Sequence, residues 1–234
     1  MYEIYEGLQI RKGTEDRQMV RDALHTDYPF ANCKDHRVLD LGAHVGAFTK
    51  KALADGAIHV DAVEPWSPNR EMLIKNFGEH PLVNIHGFAV ANTPTVELST
   101  RADSATGGVS GFVNRRNTAR TETVEALTLE ELIAAFQPTF VKIDIEGAEY
   151  GVLPCNLDGV EHICGELHTM SMADRQSAFE LLAWFERNGF YLSYLRTGPQ
   201  REQMFERLLW MHFHAYRKGR RQIAIPIDDE EALT

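Results

Sequence analysis

Cysteine and long apolar runs are scarce in this 234-residue sequence, and both shortages narrow the class of protein. The three cysteines, Cys33, Cys155 and Cys164, lie far apart and include no CxxC pair. This spacing argues against a disulfide framework or a zinc knuckle and indicates reduced thiols. No apolar run is long enough to span a membrane, and residues 1–13 lack the basic region and apolar block of a signal peptide. We therefore expect a cytoplasmic protein.

Positive charge is also in short supply, with 24 Lys and Arg residues against 34 Asp and Glu residues and a formal net charge of −10. An anionic surface repels nucleic acid and anionic membranes, so we expect neither as a partner. Basic residues cluster at two places, which are Arg115, Arg116 and Arg120, and then Arg217, Lys218, Arg220 and Arg221. We interpret both clusters as solvated loop charge, because short basic runs alone are weak indicators of binding.

The rest of the composition is typical of a globular domain, with 44% apolar and 25% charged residues. The first residues predict a strand over 2–10 and a helix over 15–25 that is capped by Thr14. No internal repeat or low-complexity linker divides the chain. We expect three segments: an N-terminal extension over 1–36, a main domain over 37–218 and a C-terminal tail over 219–234.

From residue 37 onward, short apolar runs alternate with helical patterns. The predicted strands cover residues 37–41, 58–64, 82–86, 140–144, 160–167, 191–195 and 208–216. The predicted helices cover residues 46–54, 67–77 and 129–136 and the segment from Ser171 to Asn188. Such alternation predicts an α/β fold with a doubly wound, mostly parallel, seven-stranded sheet. Sheets of this kind bind ligands at the carboxyl ends of their strands.

Residues 92–121 interrupt the alternation. The segment is rich in Thr, Ser, Gly and Arg, and a strand is predicted within it over 93–99. A long irregular insertion in a compact domain is often a lid or a binding loop, so we expect it to cover the substrate. Thr128 and Glu131 then form a capping box for the following helix.

The first strand ends in a turn with the sequence DLGAHVG, residues 40–46. Gly42 suits a tight turn beside a ligand, and Gly46 allows the next helix to start close to the sheet. The middle glycine of a GxGxxG motif is replaced by His44, which makes a dinucleotide cofactor less expected. A helix N-terminus here suits a carboxylate or another anion, although a plain strand-to-helix turn explains the same residues.

The second strand ends in Glu64 and Pro65. An acid after the second strand of such a fold commonly accepts hydrogen bonds from a ribose, and its separation from Asp40 is close to the roughly 20 residues expected. A surface glutamate before a turn is the alternative. The two strand ends together favour a ribose-containing ligand.

The fourth strand ends in the sequence VKIDIEGAEY, residues 141–150, which carries three acids in six positions. Burying carboxylates is costly unless they are paired, so these acids are expected where the core ends, at the carboxyl edge of the sheet. Asp144 is the first candidate for a polar contact with cofactor or substrate, and Glu146 is the second. We interpret Glu149 as an acid in the first turn of a helix.

Glu166 and His168 follow the fifth strand, two residues apart and therefore on one face. Three interpretations remain open. His168 is a general base that Glu166 orients, or Asp144, Glu166 and His168 bind a divalent metal, or Glu166 and His168 form a structural hydrogen-bonded pair. The ligand set is incomplete for a metal centre, so we predict no metal.

These segments resemble one known family. DLGAHVGAFTKKAL, AVEPWSPN, ALTLEEL and VKIDIEGAE are similar to the FkbM family of S-adenosylmethionine-dependent methyltransferases over roughly residues 37–155. The resemblance implies S-adenosylmethionine as cofactor and a catalytic group at the strand ends. From their positions at the strand ends, our candidate catalytic residues are Asp144, Glu146, Glu166 and His168.

The resemblance also implies the cofactor contacts. Asp40, Gly42 and Gly46 would shape the pocket for the methionine half, and Glu64 would hold the ribose. The residues expected to contact the cofactor near its adenine or its methyl group are Pro65, Ala89 and Asp144. The family usually has Asn at the position of His44, so the contact there stays open.

The implied activity is O-methylation of a hydroxyl on a sugar, a natural product or another small metabolite. N-methylation of a peptide and a non-catalytic cofactor-binding module are the alternatives. Methylation of nucleic acid is opposed by the acidic balance. The sequence does not indicate an oligomeric state.

Overall fold

The computed structural model describes residues 1–101, 108–109, 118–169, 171–197 and 210–217. The predicted tail over 219–234 lies outside these ranges, as do the basic residues Arg115, Arg116, Lys218, Arg220 and Arg221. Within the described part, no helix combines the length and the apolar character that a membrane span requires.

Strands and helices alternate through most of the chain. The strands are β1 (Tyr2–Tyr5), β2 (Leu8–Arg11), β3 (Arg37–Leu41), β4 (His59–Val63), β5 (Val83–His86), β6 (Ala89–Val90), β7 (Thr95–Arg101), β8 (Gly108–Val109), β9 (Thr118–Leu127), β10 (Phe140–Ile143), β11 (His162–His168), β12 (Phe190–Thr197) and β13 (Trp210–Arg217). The helices are α1 (Asp16–His25), α2 (Ala47–Asp55), α3 (Ser67–Phe77), α4 (Leu129–Phe136), α5 (Glu149–Val152) and α6 (Met172–Arg187).

The predicted seven-stranded sheet is confirmed, with the strand order β12-β13-β11-β10-β3-β4-β5. Strands β3, β4, β5, β10 and β11 run parallel, and β13 is antiparallel to both of its neighbours. The strand order reverses between β3 and β10, and such a reversal opens a crevice at the carboxyl ends of the two strands.

Apolar side chains on both faces hold this sheet in the middle of the fold. Leu39, Leu41, Val141, Ile143 and Ile163 are fully buried, as expected for parallel strands covered on both sides. One apolar cluster joins the sheet to α4, α5 and α6, and the other joins it to α1, α2 and α3. The carboxyl ends of β3, β4, β10 and β11 are therefore held at one edge.

The N-terminal extension differs in detail from the prediction. Instead of one strand over 2–10, β1 and β2 form an antiparallel hairpin. Its turn places Glu6 and Gly7 at φ 48° and 71°, a left-handed pair typical of a two-residue hairpin turn. Leu8 and Ile10 enter the core, so the extension is part of the same packed body as the sheet.

Helix starts match the prediction at two places and shift by a residue or two at others. The capping box of Thr128 and Glu131 is present, and Ser171 accepts a hydrogen bond from the amide of Asp174. Helix α3 has Trp66 as its N-cap rather than Ser67, and α1 begins at Asp16 with Glu15 as its N-cap. These differences are small because the apolar pattern fixes a helix better than its ends.

In the described part of the insertion, β7 and β8 belong to a second sheet with the order β6-β9-β7-β8. Strand β9 was not predicted because its sequence is polar, and its side chains over 121–125 alternate between exposed and half-buried. The carboxylate of Glu122 accepts hydrogen bonds from the amide and hydroxyl of Ser67, at 2.8 and 2.7 Å. These bonds join the second sheet to the start of α3.

Arg217 also corrects the prediction, because it is not loop charge. It lies in β13, and its guanidinium donates to the carbonyl oxygens of Val160 and Leu157 at 2.8 and 2.6 Å. The arginine thus ties the edge of β13 to the loop before β11.

Candidate active site

The strand ends converge because β3, β4, β10 and β11 are parallel and in register. Asp40 pairs with Lys142 across β3 and β10, and Lys142 pairs with Cys164 across β10 and β11. Each strand therefore delivers its terminal residues to the same edge. Two cavities meet there, one beside Glu64 and one beside His168.

Gly42 stands where the ends of β3 and β10 come closest. Its φ is +75°, and a Cβ atom built on it would lie 1.8 Å from the carbonyl oxygen of Asp144. Only glycine avoids both the left-handed strain and this collision. Gly42 brings the turn after β3 against the end of β10, and it borders both cavities.

Lys142 ties these strand ends together, and sequence analysis gave it no role. Its Nζ atom donates to the carbonyl oxygens of Leu41 and Gly42, at 3.1 and 2.8 Å. It also lies 3.4 Å from Asp40 Oδ1 and 3.8 Å from Asp144 Oδ2. Burial alone would lower the pKa of Lys142, but the charges of Asp40 and Asp144 outweigh it and raise the pKa. The ammonium group therefore remains charged although it is buried.

Two of the residues predicted to bind the cofactor, Asp40 and Gly46, border neither cavity. Asp40 is fully buried, accepts a hydrogen bond from the hydroxyl of Thr49 at 2.7 Å and borders neither cavity. A Cβ atom on Gly46 would lie 2.4 Å from a ring carbon of Phe77, so this glycine lets the start of α2 approach the end of α3 closely. Both residues therefore shape the turn without bordering a cavity.

The remaining predicted cofactor residues border one cavity. These six are Gly42, His44, Glu64, Pro65, Ala89 and Asp144. The same cavity is lined by Val96 and Leu98 of β7 and by Met19 of α1. The second sheet and the N-terminal extension thus supply walls that the motifs alone did not indicate. We call this space the cofactor cleft.

Glu64 is the buried acid of the cofactor cleft. One carboxylate oxygen accepts the amide of His44 and the other accepts the amide of Trp66, each at 2.8 Å. Burial raises the pKa of Glu64 to about 7, although these hydrogen bonds act in the opposite direction. Each oxygen has a second lone pair left for a ligand donor.

The ring of His44 turns towards the N-terminal extension. Its Nε2 atom lies 3.6 Å from Asp16 Oδ1, and Asp16 is held by two hydrogen bonds from the guanidinium of Arg11. Burial lowers the pKa of His44 to about 4, although the charge of Asp16 acts in the opposite direction. The imidazole is therefore neutral near pH 7, and its backbone is at φ 53° beside the cleft.

The second cavity has a volume of about 380 Å³ and is lined mainly by polar residues. We call it the acidic cavity. Its carboxylates come from α1, the loop after it and the strand ends, and they are Glu15, Asp22, Asp27, Asp144, Glu146 and Glu166. It shares Met19, Gly42, His44, Asp144 and Glu146 with the cofactor cleft. The two cavities therefore adjoin at Asp144.

His168 is hydrogen-bonded to Glu149, and Glu166, which one of the three interpretations gave as its orienting partner, lies near its other ring nitrogen. The Nδ1 atom of His168 lies 3.1 Å from Glu149 Oε1. Its Nε2 atom lies 3.6 Å from both Glu146 Oε2 and Glu166 Oε1, which is beyond hydrogen-bond distance. Burial opposes protonation, but the hydrogen bond to Glu149 and the nearby carboxylates raise the pKa of His168.

Glu149 does more than begin a helix. It is fully buried, and its Oε1 atom also accepts the amides of Ile145 and Gly147, each at 3.1 Å. The same carboxylate thus fixes the turn that carries Glu146 and the ring of His168. The signal that sequence analysis missed is the spacing, because an acid two residues after Gly147 can reach back to the amides of its own turn.

Two further residues of the acidic cavity were not predicted. The hydroxyl of Tyr28 donates to Asp144 Oδ2 at 3.3 Å, and Tyr28 comes from the N-terminal extension. His212 of β13 lies 3.2 Å from Glu166 Oε2. Neither belongs to a motif, so only the fold brings them to Asp144 and Glu166.

A family comparison and a search of solved structures agree on this fold. A model of the methyltransferase FkbM domain matches residues 40–192. No curated protein matches the chain. The chain is similar to a candidate SAM-dependent methyltransferase from Streptococcus mutans, at 10% identity and a TM-score of 0.52, covering 92% of this chain and 55% of that one. It is also similar to a candidate RNA methyltransferase from Pyrococcus horikoshii, at 14% identity and a TM-score of 0.46, covering 86% and 84%.

At 10% identity the Streptococcus mutans structure supports the fold alone, whereas the family model covers most of the chain. Its match begins near the end of β3 and extends into β12. It includes Glu64, the acids after β10 and the pair Glu166 and His168. The chain belongs to the FkbM family of S-adenosylmethionine-dependent methyltransferases.

Proposed function

We propose that this methyltransferase acts on a hydroxyl group of a small, polar metabolite such as a sugar. The observation that carries the proposal is the acidic cavity, which adjoins the cofactor cleft at Asp144 and has a volume of about 380 Å³. Its carboxylates accept hydrogen bonds from several hydroxyl groups at once. A cavity of this size, bounded by α1 on one side and strand ends on the other, suits a small molecule better than a peptide chain.

The cofactor cleft fits S-adenosylmethionine at two points. Glu64 keeps one lone pair on each oxygen for the ribose hydroxyls. Gly42 and the left-handed backbone at His44 form a turn that approaches a ligand closely. When bound, the cofactor supplies a methyl group on a sulfonium, whose carbon–sulfur bond breaks as the carbon–oxygen bond forms while the electron pair stays on sulfur.

The residues of this chain hold the acceptor in line with that methyl group. Asp144 stands at the junction of the two cavities, and its Oδ2 atom accepts a hydrogen bond from Tyr28 at 3.3 Å and lies 3.8 Å from the ammonium group of Lys142. A hydrogen bond from the acceptor to Asp144 would orient the reacting hydroxyl. Orientation of this kind supplies a large part of the rate enhancement in a displacement reaction.

The acceptor hydroxyl must also lose its proton. Glu146 and Glu166 border the acidic cavity and lie on either side of His168 Nε2, each 3.6 Å away. The proton passes to one carboxylate of this pair. His168 keeps the pair in place through its own hydrogen bond to Glu149. In this arrangement His168 is a positioning residue and not the general base.

The first test is calorimetric titration with S-adenosylmethionine and S-adenosylhomocysteine, followed by methylation assays on hydroxylated sugars, peptides and RNA. Glu64→Ala is expected to weaken cofactor binding at least tenfold, and Glu71→Gln on the exposed face of α3 serves as the control. Methylation of a sugar or another small alcohol supports the proposal. Methylation of a peptide or of RNA with no small-molecule turnover would refute it.

A further inference from the structure

We propose that Asp144, Glu146 and His168 bind a divalent cation of the Mn²⁺ or Mg²⁺ class at the junction of the cofactor cleft and the acidic cavity. The binding itself is independent of the acceptor. What the cation does for catalysis rests on the proposed methylation of a hydroxyl group. The site differs from the one that the sequence suggested, because Glu146 takes the place of Glu166.

The ligand atoms are already gathered. One carboxylate oxygen from Asp144, one from Glu146 and one ring nitrogen of His168 all lie within 4.8 Å of one another. Two ligands on opposite sides of an Mg²⁺ ion stand about 4.2 Å apart, given bond lengths of about 2.1 Å. The widest pair of the cluster therefore needs to contract by at most about 0.6 Å to reach this span.

The orientation of His168 is that of a metal ligand. Its Nδ1 atom is engaged by the buried carboxylate of Glu149, at 3.1 Å. Its Nε2 atom points into a gap between Glu146 and Glu166 and is 3.6 Å from each. Metal-binding histidines almost always use their second nitrogen in this way, which fixes the ring and its tautomer. A histidine held only for structure would be expected to hydrogen-bond with its Nε2 atom as well.

The charge balance of the cluster favours a cation. Asp144, Glu146, Glu149 and Glu166 bring four carboxylates around one imidazole. Lys142 approaches this group, but its hydrogen bonds go to the carbonyl oxygens of the turn after β3. Even with His168 protonated, the carboxylates outnumber the positive charges near them. A divalent ion would offset the excess and replace the proton on His168.

The donor set favours a hard cation. Carboxylate oxygens with water suit Mg²⁺ and Mn²⁺, and one imidazole is compatible with Mn²⁺. The described cysteines lie away from the cluster, since Cys33 and Cys164 are buried in the core and Cys155 follows α5. Three protein ligands leave positions for water and for an acceptor hydroxyl, whose pKa the cation would lower. Glu166 lies outside the trio and beside His168, so it is placed to take the released proton.

The test is a titration of EDTA-treated protein with Mn²⁺. Binding is monitored by electron paramagnetic resonance as the loss of the signal from free Mn²⁺. The wild type is expected to bind one Mn²⁺ per chain without cofactor or acceptor, and Mg²⁺ is expected to compete. Glu146→Gln and His168→Gln should weaken binding at least tenfold. Glu166→Gln should change it less than threefold, and Glu71→Gln should not change it.

The outcomes separate this inference from the proposed function. Circular dichroism and titration with S-adenosylhomocysteine check that each variant is folded and keeps its cofactor cleft. Cofactor binding with no stoichiometric Mn²⁺ binding up to millimolar concentration would overturn the metal site and leave the methyltransferase assignment intact. Mn²⁺ binding that Glu146→Gln and His168→Gln do not weaken would also overturn it, as would binding of Zn²⁺ alone.

Discussion

The affinity for a ribose-containing ligand is expected to rise with pH, because the carboxyl group of the cofactor cleft titrates near neutrality. Burial raises the pKa of Glu64 to about 7, against the hydrogen bonds from the amides of Trp66 and His44. Ribose hydroxyls donate hydrogen bonds, and an ionised carboxylate accepts them better than a protonated one. Ligand binding therefore favours the ionised form, so affinity is gained as the pH rises through about 7 and lost as it falls.

The size of the effect follows from simple linkage. If the ligand binds only when Glu64 is ionised, the apparent Kd is the intrinsic Kd multiplied by one plus the ratio of protonated to ionised Glu64. With the pKa at about 7, this factor is about 11 at pH 6 and about 1.1 at pH 8. The affinity should therefore increase about tenfold between these pH values, which corresponds to about 1.4 kcal/mol.

Calorimetry with adenosine isolates the effect, because adenosine carries the ribose without the amino and carboxyl groups of the full cofactor. Neighbouring groups are accounted for: His44 stays neutral and Lys142 stays charged, while the pKa of Glu146 is also raised to about 7. Glu64→Gln is the matched control, since it removes one titration and leaves Glu146 in place. An equal pH dependence in wild type and Glu64→Gln would refute the reasoning, as would an affinity that falls with rising pH.

Three further changes have defined outcomes. Lys142→Met should lower the free energy of unfolding in urea by about 3 kcal/mol, because it leaves a buried carboxylate without its partner; an unchanged midpoint would contradict the role given to this lysine. Gly42→Ala should weaken binding of S-adenosylhomocysteine at least tenfold in calorimetry, since its Cβ atom would collide with a carbonyl oxygen. The pKa of His162 is lowered to about 4 and that of His214 to about 3, mainly by burial, so each of these histidines takes stability from the folded state as the pH falls below about 6.5. Glu64 and Glu146, whose pKa values are raised to about 7, act in the opposite direction over the same range, so the measurement is a comparison of wild type and variant. Between pH 7 and pH 5, the free energy of unfolding in urea should fall by roughly 2 kcal/mol less in His214→Phe than in the wild type, and an equal pH dependence in both would contradict this reasoning.

The sheet could be predicted from the sequence because its strands are short apolar runs that alternate with helical patterns. Strands β3 and β10 were predicted in this way, and their parallel pairing was expected from the alternation. Strand β9 was missed because half of its side chains face solvent and its sequence is polar. The hairpin of β1 and β2 was missed because Glu6 and Gly7 are not one of the common turn pairs.

The candidate site was predictable where a residue acts through its position at a strand end. Glu64 and Asp144 were found in this way, and both border the cofactor cleft. The partners of such residues were not predictable, because they depend on three-dimensional contacts. In the sequence, Lys142 is an ordinary strand residue, and only the structure shows its contacts with Gly42 and Asp40. For His168 the sequence offered only Glu166 as a neighbouring acid, whereas the fold brings in Glu149.

The hairpin of β1 and β2 and helix α1 bear on why members of the family should differ in the acceptor that they methylate. The family match begins at residue 40, yet Met19 and Tyr28 border the cavities, and Asp27 lies beside His212. The part of the chain that defines the family thus carries the methyl-transfer chemistry, while part of the acceptor wall is encoded upstream of it. Two members with matching motifs and different leading segments should accept different substrates. Exchanging residues 1–36 between them, with Tyr28 kept for its hydrogen bond to Asp144, is therefore a direct way to redirect specificity.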